Sequence, residues 1–167
     1  ALGPKIGTGK ESDIYLAANA QGVQIVLKFH RLGRTSFRNV RHKRDYFNHN
    51  PSQQGPSAHS WLFLSHLSAV KEFAFMQALH AAQYPTPVPL AHNRHVLVMS
   101  LVRGVPLYQI FPKQLSVDQA QDVYHQAVAL AARLARTHGL VHCDLNEFNL
   151  VVDLSGGLQQ HPAVTDD

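Results

Sequence analysis

The segment His142-Cys143-Asp144-Leu145-Asn146-Glu147-Phe148-Asn149 decides the fold class of this chain of 167 residues. It places a His, an Asp and an Asn at the spacing H-x-D-x-x-x-x-N, which phosphoryl-transfer enzymes use beside a nucleotide's terminal phosphate. On this interpretation Asp144 is the catalytic base, and Asn149 offers its amide oxygen to Mg²⁺. The same spacing also fits a plain turn built from hydrogen bonds of Asp and Asn side chains. The segment therefore needs support from other parts of the chain.

A glycine-rich turn near the start of the chain is the second signal. Gly7-Thr8-Gly9-Lys10-Glu11-Ser12 lies between Ile6 and the apolar run Ile14-Tyr15-Leu16, which predicts a strand, a tight turn and a strand. Glycines in such a turn let backbone N–H groups approach a phosphate closely. No Walker Lys-Ser/Thr pair and no predicted helix follow, so the P-loop and dinucleotide-fold interpretations fail. A hairpin turn without a ligand remains the alternative.

Two charged residues supply the third and fourth signals. Lys28 lies in the apolar strand Gln24-Ile25-Val26-Leu27-Lys28-Phe29, where a protein kinase carries the lysine of V-A-I-K. Glu72 lies in a segment with apolar residues at helical spacing, and an ion pair with Lys28 would orient the lysine toward the α- and β-phosphates. The apolar residues of that segment are Leu64, Leu67, Phe75, Leu79 and Ala82. An exposed lysine on an edge strand and a glutamate on a solvated helix face are the plainer alternatives.

With four signals in this order, the sequence resembles a known family, the RIO atypical protein kinases. The blocks that carry the resemblance are Gly7 to Tyr15, His30 to Arg38, Arg44 to Tyr46, Lys71 to Met76 and Asn146 to Asn149. The block His30-Arg31-Leu32-Gly33-Arg34-Thr35-Ser36-Phe37-Arg38 is particularly similar to the second RIO subfamily. The resemblance extends from about residue 3 to about residue 153. It implies an α+β, protein-kinase-like two-lobed fold of the RIO type.

The resemblance also implies a function. It predicts an ATP-dependent serine/threonine protein kinase or ATPase that uses Mg²⁺ and acts in maturation of the small ribosomal subunit. The partners would be preribosomal RNA and proteins, with a protein substrate as a further option, in the cytoplasm with shuttling through the nucleus. Met99 would be the gatekeeper, and the backbone from Ser100 to Val102 would meet adenine. The residues expected to bind the nucleotide are Gly7, Gly9, Lys10, Ser12, Lys28, Glu72, Met99, Ser100 and Val102.

Two other functions remain open. A catalytically inactive nucleotide-binding assembly factor would use the same pocket as a switch on preribosomes. A small-molecule phosphotransferase shares the spacing of the segment from His142 to Asn149. It is not expected to carry the blocks Lys10 to Asp13 and His30 to Arg38.

The domain organisation follows from the order of the predicted elements. Residues 1–101 are predicted to form an N-lobe of antiparallel sheet plus the Glu72 helix, with a basic flexible insert at about residues 30–59. Residues 102–167 are predicted to form the hinge and a truncated C-lobe with the catalytic loop. A capping box at Ser116 and a left-handed cap at Gly139 bound a long helix. The predicted face of that helix is Val123, Ala127, Leu130 and Leu134, and Val128 is also assigned to the core.

Composition restricts the function less than the motifs do. The formal net charge is +4, and seven of the fifteen Lys and Arg fall between Lys28 and Arg44. Such a basic stripe can neutralise RNA phosphates, with aromatic side chains for stacking, although a solvated loop is the alternative. The single cysteine excludes a disulfide within the chain, and the twelve histidines are scattered, so we expect no zinc site. No apolar run is long enough to cross a membrane.

The end of the sequence departs from the family. Kinases of this type need a second metal-binding Asp, which the RIO family carries in an Asp-Phe-Pro context, and no Phe-Pro follows here. Asp166 or Asp167 would be the remaining candidates, whereas Asp153 is expected to cap a strand. We therefore expect this chain to be a fragment or an incomplete gene product without measurable kinase activity when expressed as written.

Overall fold

The structure, a computed structural model, describes residues 1–32, 61–111, 114–153 and 157–160. These residues divide into two compact units. The first unit contains the described residues of 1–77 together with 89–100, and the second contains those of 78–88 and 101–165. Residues 78–88, which the sequence analysis assigns to the N-lobe, group with the second unit. No helix of the described residues is long and apolar enough to cross a membrane.

A five-stranded antiparallel sheet forms the first unit. Its strands are β1 (Leu2–Thr8), β2 (Ser12–Ala18), β3 (Gln24–His30), β4 (Pro89–Asn93) and β5 (Val96–Ser100), in the order β1-β2-β3-β5-β4. Along β3, Val26, Lys28 and His30 are buried and alternate with more exposed residues. Alternate residues of a strand share one face. Lys28 therefore occupies a core position on a central strand, and its interpretation as an exposed edge lysine is wrong.

Helix α1 (Trp61–Ala81) buries apolar as well as small and polar residues on one side. Ser65, Ala69, Glu72 and Met76 recur three or four positions apart along this stripe. Phe75, predicted for the apolar face, is 57% exposed. One residue along a helix is a rotation of about 100°, so Phe75 cannot share the stripe that ends at Met76.

The second unit combines a long helix with a three-stranded antiparallel sheet. Helix α2 (Val117–His138) begins at the predicted capping box, where Gln119 N donates to Ser116 Oγ at 3.1 Å and Ser116 N donates to Gln119 Oε1 at 2.8 Å. Gly139 ends it with φ of 64°. Both predicted caps are confirmed. The sheet consists of β6 (Val105–Pro106), β7 (Leu150–Asp153) and β8 (Gly157–Gln160), and a 3₁₀ turn at Leu107–Gln109 follows β6.

The core of the second unit lies between α2 and β7. Leu150 and Val152 of β7 are buried and pack against Val123 and Ala127 of α2. Val128, assigned to the core from sequence, is 47% exposed, so that assignment is wrong. It follows Ala127 by one residue and is therefore rotated away from the face that contacts the sheet.

Within the second unit, Arg133 of α2 contacts the residues that directly follow α1. Its Nη2 donates to the Ala82 carbonyl at 2.6 Å and its Nη1 to the Gln83 carbonyl at 3.1 Å, and the guanidinium lies 4.2 Å from the Tyr84 ring centroid. We expect Arg133→Ala to lower the free energy of unfolding by about 1–3 kcal/mol, through loss of charged hydrogen bonds and of the cation–π contact. Urea unfolding measures this change.

The controls for Arg133 use the same helix. Arg133→Lys keeps the charge but not the fork of two donors, so it is expected to restore stability only in part. Arg136→Ala removes an exposed arginine one turn away and is expected to have little effect. Equal losses for Arg133→Ala and Arg136→Ala would contradict the assigned role of Arg133.

Asp13 joins two strands of the first unit by ion pairs. Arg31 binds both its carboxylate oxygens, at 2.8 and 3.1 Å, and Lys5 Nζ lies 3.0 Å from Oδ1. Arg31 first, with help from Lys5, holds the pKa of the Asp13 carboxyl at about 2, against partial burial, which raises the pKa. The pKa in the folded state is thus below the ordinary value of 3.8.

The lowered pKa of Asp13 predicts that the stability of the protein depends on pH. Its stabilising contribution is fully present above about pH 4 and is lost as the pH falls toward 2. We expect Asp13→Asn to be less stable than the wild type at pH 6 by about 1 kcal/mol, because solvent screens this pair, and the difference to shrink below pH 4. Denaturant unfolding of both proteins at pH 6, 4 and 3 checks this. A constant difference at all three values would disprove it.

Candidate active site

A buried ion pair in the first unit contains two residues of the predicted nucleotide site. Lys28 Nζ lies 2.7 Å from Glu72 Oε1, and the two side chains are 1% and 8% exposed. The pairing of Lys28 on β3 with Glu72 on α1, predicted from sequence order, is confirmed. Removing both charges from water costs several kcal/mol, which the attraction offsets only when the geometry is good.

Glu72 has a second contact, with the imidazole of His30, that the sequence analysis missed. His30 Nε2 lies 3.0 Å from Glu72 Oε2. Burial raises the pKa of Glu72, but Lys28 and His30 together outweigh that effect, and the net pKa is lowered, so the carboxylate is ionised. A signal was present in the sequence, since His30 follows Lys28 by two residues in β3 and must share its face.

The glycine-rich turn connects β1 and β2 as predicted. Gly9 N donates to the Ser12 carbonyl at 2.8 Å and closes the turn. A Cβ on Gly7 would lie 3.3 Å from Ile14 Cδ1, so the position is tight for any side chain. Lys10 is exposed, whereas Ser12 is 1% exposed and its Oγ has no hydrogen-bond partner among the described residues. A buried hydroxyl of this kind is suited to a ligand.

The residues predicted to meet adenine fall in both units. Met99 is fully buried in β5, opposite Val26 of β3, and Ser100 ends the same strand. Leu97, two residues earlier, pairs with Lys28. Val102 is half-buried and belongs to the second unit. The nucleotide contacts of these residues stay a prediction.

In the second unit, the loop that precedes β7 contains the predicted catalytic residues. Asn149 Nδ2 donates to Asp144 Oδ2 at 2.6 Å and to the Asp144 carbonyl at 2.9 Å. Asn146 Nδ2 donates to the other carboxylate oxygen, Oδ1, at 2.6 Å. The loop thus brings Asp144 and Asn149 together, and it adds Asn146, for which the sequence analysis assigned no role. Two amide donors, one on each oxygen, fix the plane of the carboxylate.

His142 supports the backbone of this loop. Asp144 N donates to the His142 carbonyl at 2.8 Å and approaches His142 Nδ1 at 3.3 Å, while Cys143 between them has φ of 61°. Burial lowers the pKa of His142, although the charge of Asp144 opposes the effect. The imidazole is therefore neutral at neutral pH, with the proton on Nε2, because Nδ1 faces an N–H donor.

The loop offers oxygen ligands of the kinds that bind Mg²⁺. Mg²⁺ prefers carboxylate and carbonyl oxygens. Asn149 would offer Oδ1, since its Nδ2 donates to Asp144. The described residues contain no group of three or more His, Cys, Asp and Glu suited to a metal. Asp166 and Asp167, the candidates for the second metal ligand, lie outside the described residues.

An antiparallel sheet with a buried Lys-Glu pair, and an Asp-Asn loop ahead of a short strand, are features of the protein-kinase-like fold. The family model of the RIO domain matches residues 13–158. The chain therefore belongs to the RIO domain family, as the sequence resemblance predicts.

The proteins to which the chain is similar include Rio2 serine/threonine kinases. The chain is 45% identical over 152 residues to serine/threonine-protein kinase rio2 of Dictyostelium discoideum, covering 91% of this chain and 27% of the relative. It is 40% identical over 156 residues to rio2 of Schizosaccharomyces pombe, covering 93% and 42%. The solved Rio2 kinase-ADP/Mg²⁺-phosphoaspartate complex of Chaetomium thermophilum matches with a TM-score of 0.69 and 40% identity, over 97% of this chain and 48% of that chain. The chain thus spans less than half the length of these proteins.

Proposed function

We propose that this chain carries the nucleotide-binding and catalytic residues of a RIO-type kinase, which transfers the γ-phosphoryl group of MgATP to a hydroxyl or to water. The observation that carries the proposal is the buried pair of Lys28 and Glu72. An apolar pair of similar volume would stabilise the sheet and helix at least as well, so an ion pair at this place points to a function of the lysine. The ADP/Mg²⁺ complex of the Chaetomium relative supports the same ligand class.

Each chemical group of the predicted site has a defined task in this proposal. Glu72 holds Lys28, whose ammonium binds phosphate oxygens. The turn from Gly7 to Ser12 contacts the phosphates through backbone N–H groups other than that of Gly9, which donates to the Ser12 carbonyl. Asn149 Oδ1 would be a ligand of Mg²⁺, which would neutralise charge on the phosphates. Asp144 accepts the proton of the attacking hydroxyl, and Asn146 and Asn149 hold its carboxylate in place.

The test is ATP-dependent turnover. Because no measurable kinase activity is expected of this chain expressed as written, this test and the turnover measurements below use a protein that also carries the second metal-binding aspartate. Phosphate release and incorporation of label from γ-labelled ATP are measured with and without Mg²⁺, and ATP binding is measured by calorimetry. Mg²⁺-dependent turnover is expected. ATP binding without turnover would favour the nucleotide-binding assembly factor instead, and absence of ATP binding would refute the proposal.

We also propose the small ribosomal subunit as the partner, in the cytoplasm with passage through the nucleus. The support is the family resemblance and the basic stripe from Lys28 to Arg44, most of which lies outside the described residues. If the stripe binds ribosomal RNA, the slope of log affinity against log salt follows the number of phosphates neutralised, at about 0.9 per phosphate on a duplex and about 0.7 on a single strand. Charge reversal at Arg34, Arg38 and Arg41 is expected to flatten that slope. An unchanged slope would indicate that the stripe is a solvated loop that does not contact RNA phosphates.

A further inference from the structure

His30 shares the carboxylate of Glu72 with Lys28. Lys28 Nζ contacts Oε1 at 2.7 Å, and His30 Nε2 contacts Oε2 at 3.0 Å. Both side chains project from the same face of β3, and His30 is only 4% exposed. The two oxygens of one carboxylate are therefore each occupied by a different side chain of one strand.

The short distance fixes where the imidazole carries its proton. A lone pair on Nε2 would repel an ionised oxygen 3.0 Å away, so Nε2 bears hydrogen. The N–H bond is not aimed straight at the oxygen, and the contact is electrostatic rather than a linear hydrogen bond. It attracts Oε2 both in the neutral tautomer with hydrogen on Nε2 and in the doubly protonated ring.

Two hydrogen bonds fix the position of the His30 backbone. Its N–H donates to the His95 carbonyl on the neighbouring chain segment at 2.8 Å, and its own carbonyl accepts from Ser65 Oγ of α1 at 3.4 Å. Its Nδ1 is buried without a hydrogen-bond partner among the described residues, which costs free energy. A histidine kept at such a site needs a compensating role, since an apolar side chain would avoid that cost.

We propose that His30 is a positioning residue for nucleotide binding, which holds Glu72 in the rotamer that presents Oε1 to Lys28. This inference rests on the proposed function. With Oε1 bound to Lys28 and Oε2 attracted to His30, rotation of the carboxylate about its last bond is restricted, and so is the direction of the Lys28 ammonium. Without His30, Glu72 gains rotational freedom and Lys28 must be ordered by the nucleotide at the moment of binding.

The experiment is a double-mutant cycle between His30 and Glu72 in the full chain. ATP affinity and kcat/KM are measured for the wild type, His30→Ala, Glu72→Gln and the double variant. Glu72→Gln keeps the shape of the side chain but removes the charge that attracts His30. His30→Ala is expected to weaken both quantities about tenfold in the wild type, as for loss of one charged contact, and to change them little in the Glu72→Gln background.

Two further variants separate positioning from packing. His30→Gln can present an amide N–H to Oε2, so it is expected to recover most of the affinity lost in His30→Ala. His92→Ala removes a ring that packs 4.8 Å from Phe73, next to Glu72 on α1, and is expected to leave ATP affinity unchanged. Unfolding midpoints of all variants show how much of each effect is structural.

The outcomes distinguish this inference from the proposed function. Equal tenfold losses in both backgrounds, or no rescue by His30→Gln, would overturn the role of His30 while ATP binding by the wild type stands. Unchanged affinity in His30→Ala would overturn it as well. Absence of ATP binding by the wild type would refute the proposed function and this inference together.

Discussion

Replacing Asp144 by asparagine is expected to slow phosphoryl transfer by a factor of about 10² to 10⁴, the usual contribution of a positioned proton acceptor. The asparagine has the same size but no charge, and one of its two terminal atoms becomes a donor. It can therefore accept only one of the two amide hydrogen bonds that Asn146 and Asn149 now donate to the carboxylate. Phosphate release under saturating MgATP measures the change in rate.

The control for Asp144 comes from the same loop. Glu147 is an exposed carboxylate, and Glu147→Gln removes the same charge without touching the Asp144 network, so its rate is expected to match the wild type. Calorimetry should find ATP bound by the Asp144→Asn protein with nearly wild-type affinity. An Asp144→Asn protein that kept near-normal phosphate release would remove Asp144 as the base.

Replacing Lys28 by alanine is the second large change, and it is expected to act on both stability and binding. Glu72 would stay buried beside His30, and breaking a buried pair from one side costs about 3–5 kcal/mol. ATP affinity falls as well, since the ammonium aimed at the phosphates is gone. Denaturant unfolding and calorimetry measure the two effects separately.

A matched pair in the same sheet provides the comparison for Lys28. Lys5 and Asp13 are 3.0 Å apart, but their side chains are 41% and 21% exposed. Lys5→Ala is therefore expected to reduce stability far less than Lys28→Ala, because water solvates the carboxylate that is left behind. Similar losses for the two variants would show that burial does not set the energy of the Lys28 pair.

Lowering the pH should reduce the stabilising contribution of the buried pair of Lys28 and Glu72. The folded-state pKa of Glu72 is lowered relative to its ordinary value. Its stabilising contribution is therefore present above the unfolded-state pKa and is lost as the pH falls through the lower folded-state pKa. A Glu72→Gln protein lacks this contribution, so the stability difference from the wild type should narrow as the pH drops below about 4.

The sequence by itself determined the elements whose signals are local. The turn Gly7 to Ser12 between two strands, the Ser116 capping box and the left-handed Gly139 depend on residues within a few positions of one another, and the structure has all three. The spacing from Asp144 to Asn149 is also local, and the loop brings the two side chains within 2.6 Å. Backbone conformation and short-range hydrogen bonds decide such features before any packing occurs.

Only the tertiary structure decided which faces are buried and which distant side chains meet. Nothing within β3 distinguishes a buried Lys28 from an exposed one, because its burial follows from strands β2 and β5 on either side and from Glu72 on α1. Phe75 is exposed because the stripe of α1 that contains Glu72 and Met76 faces the sheet instead. His30 reaches Glu72 by the same packing. Burial depends on contacts far apart in sequence, and local periodicity does not encode them.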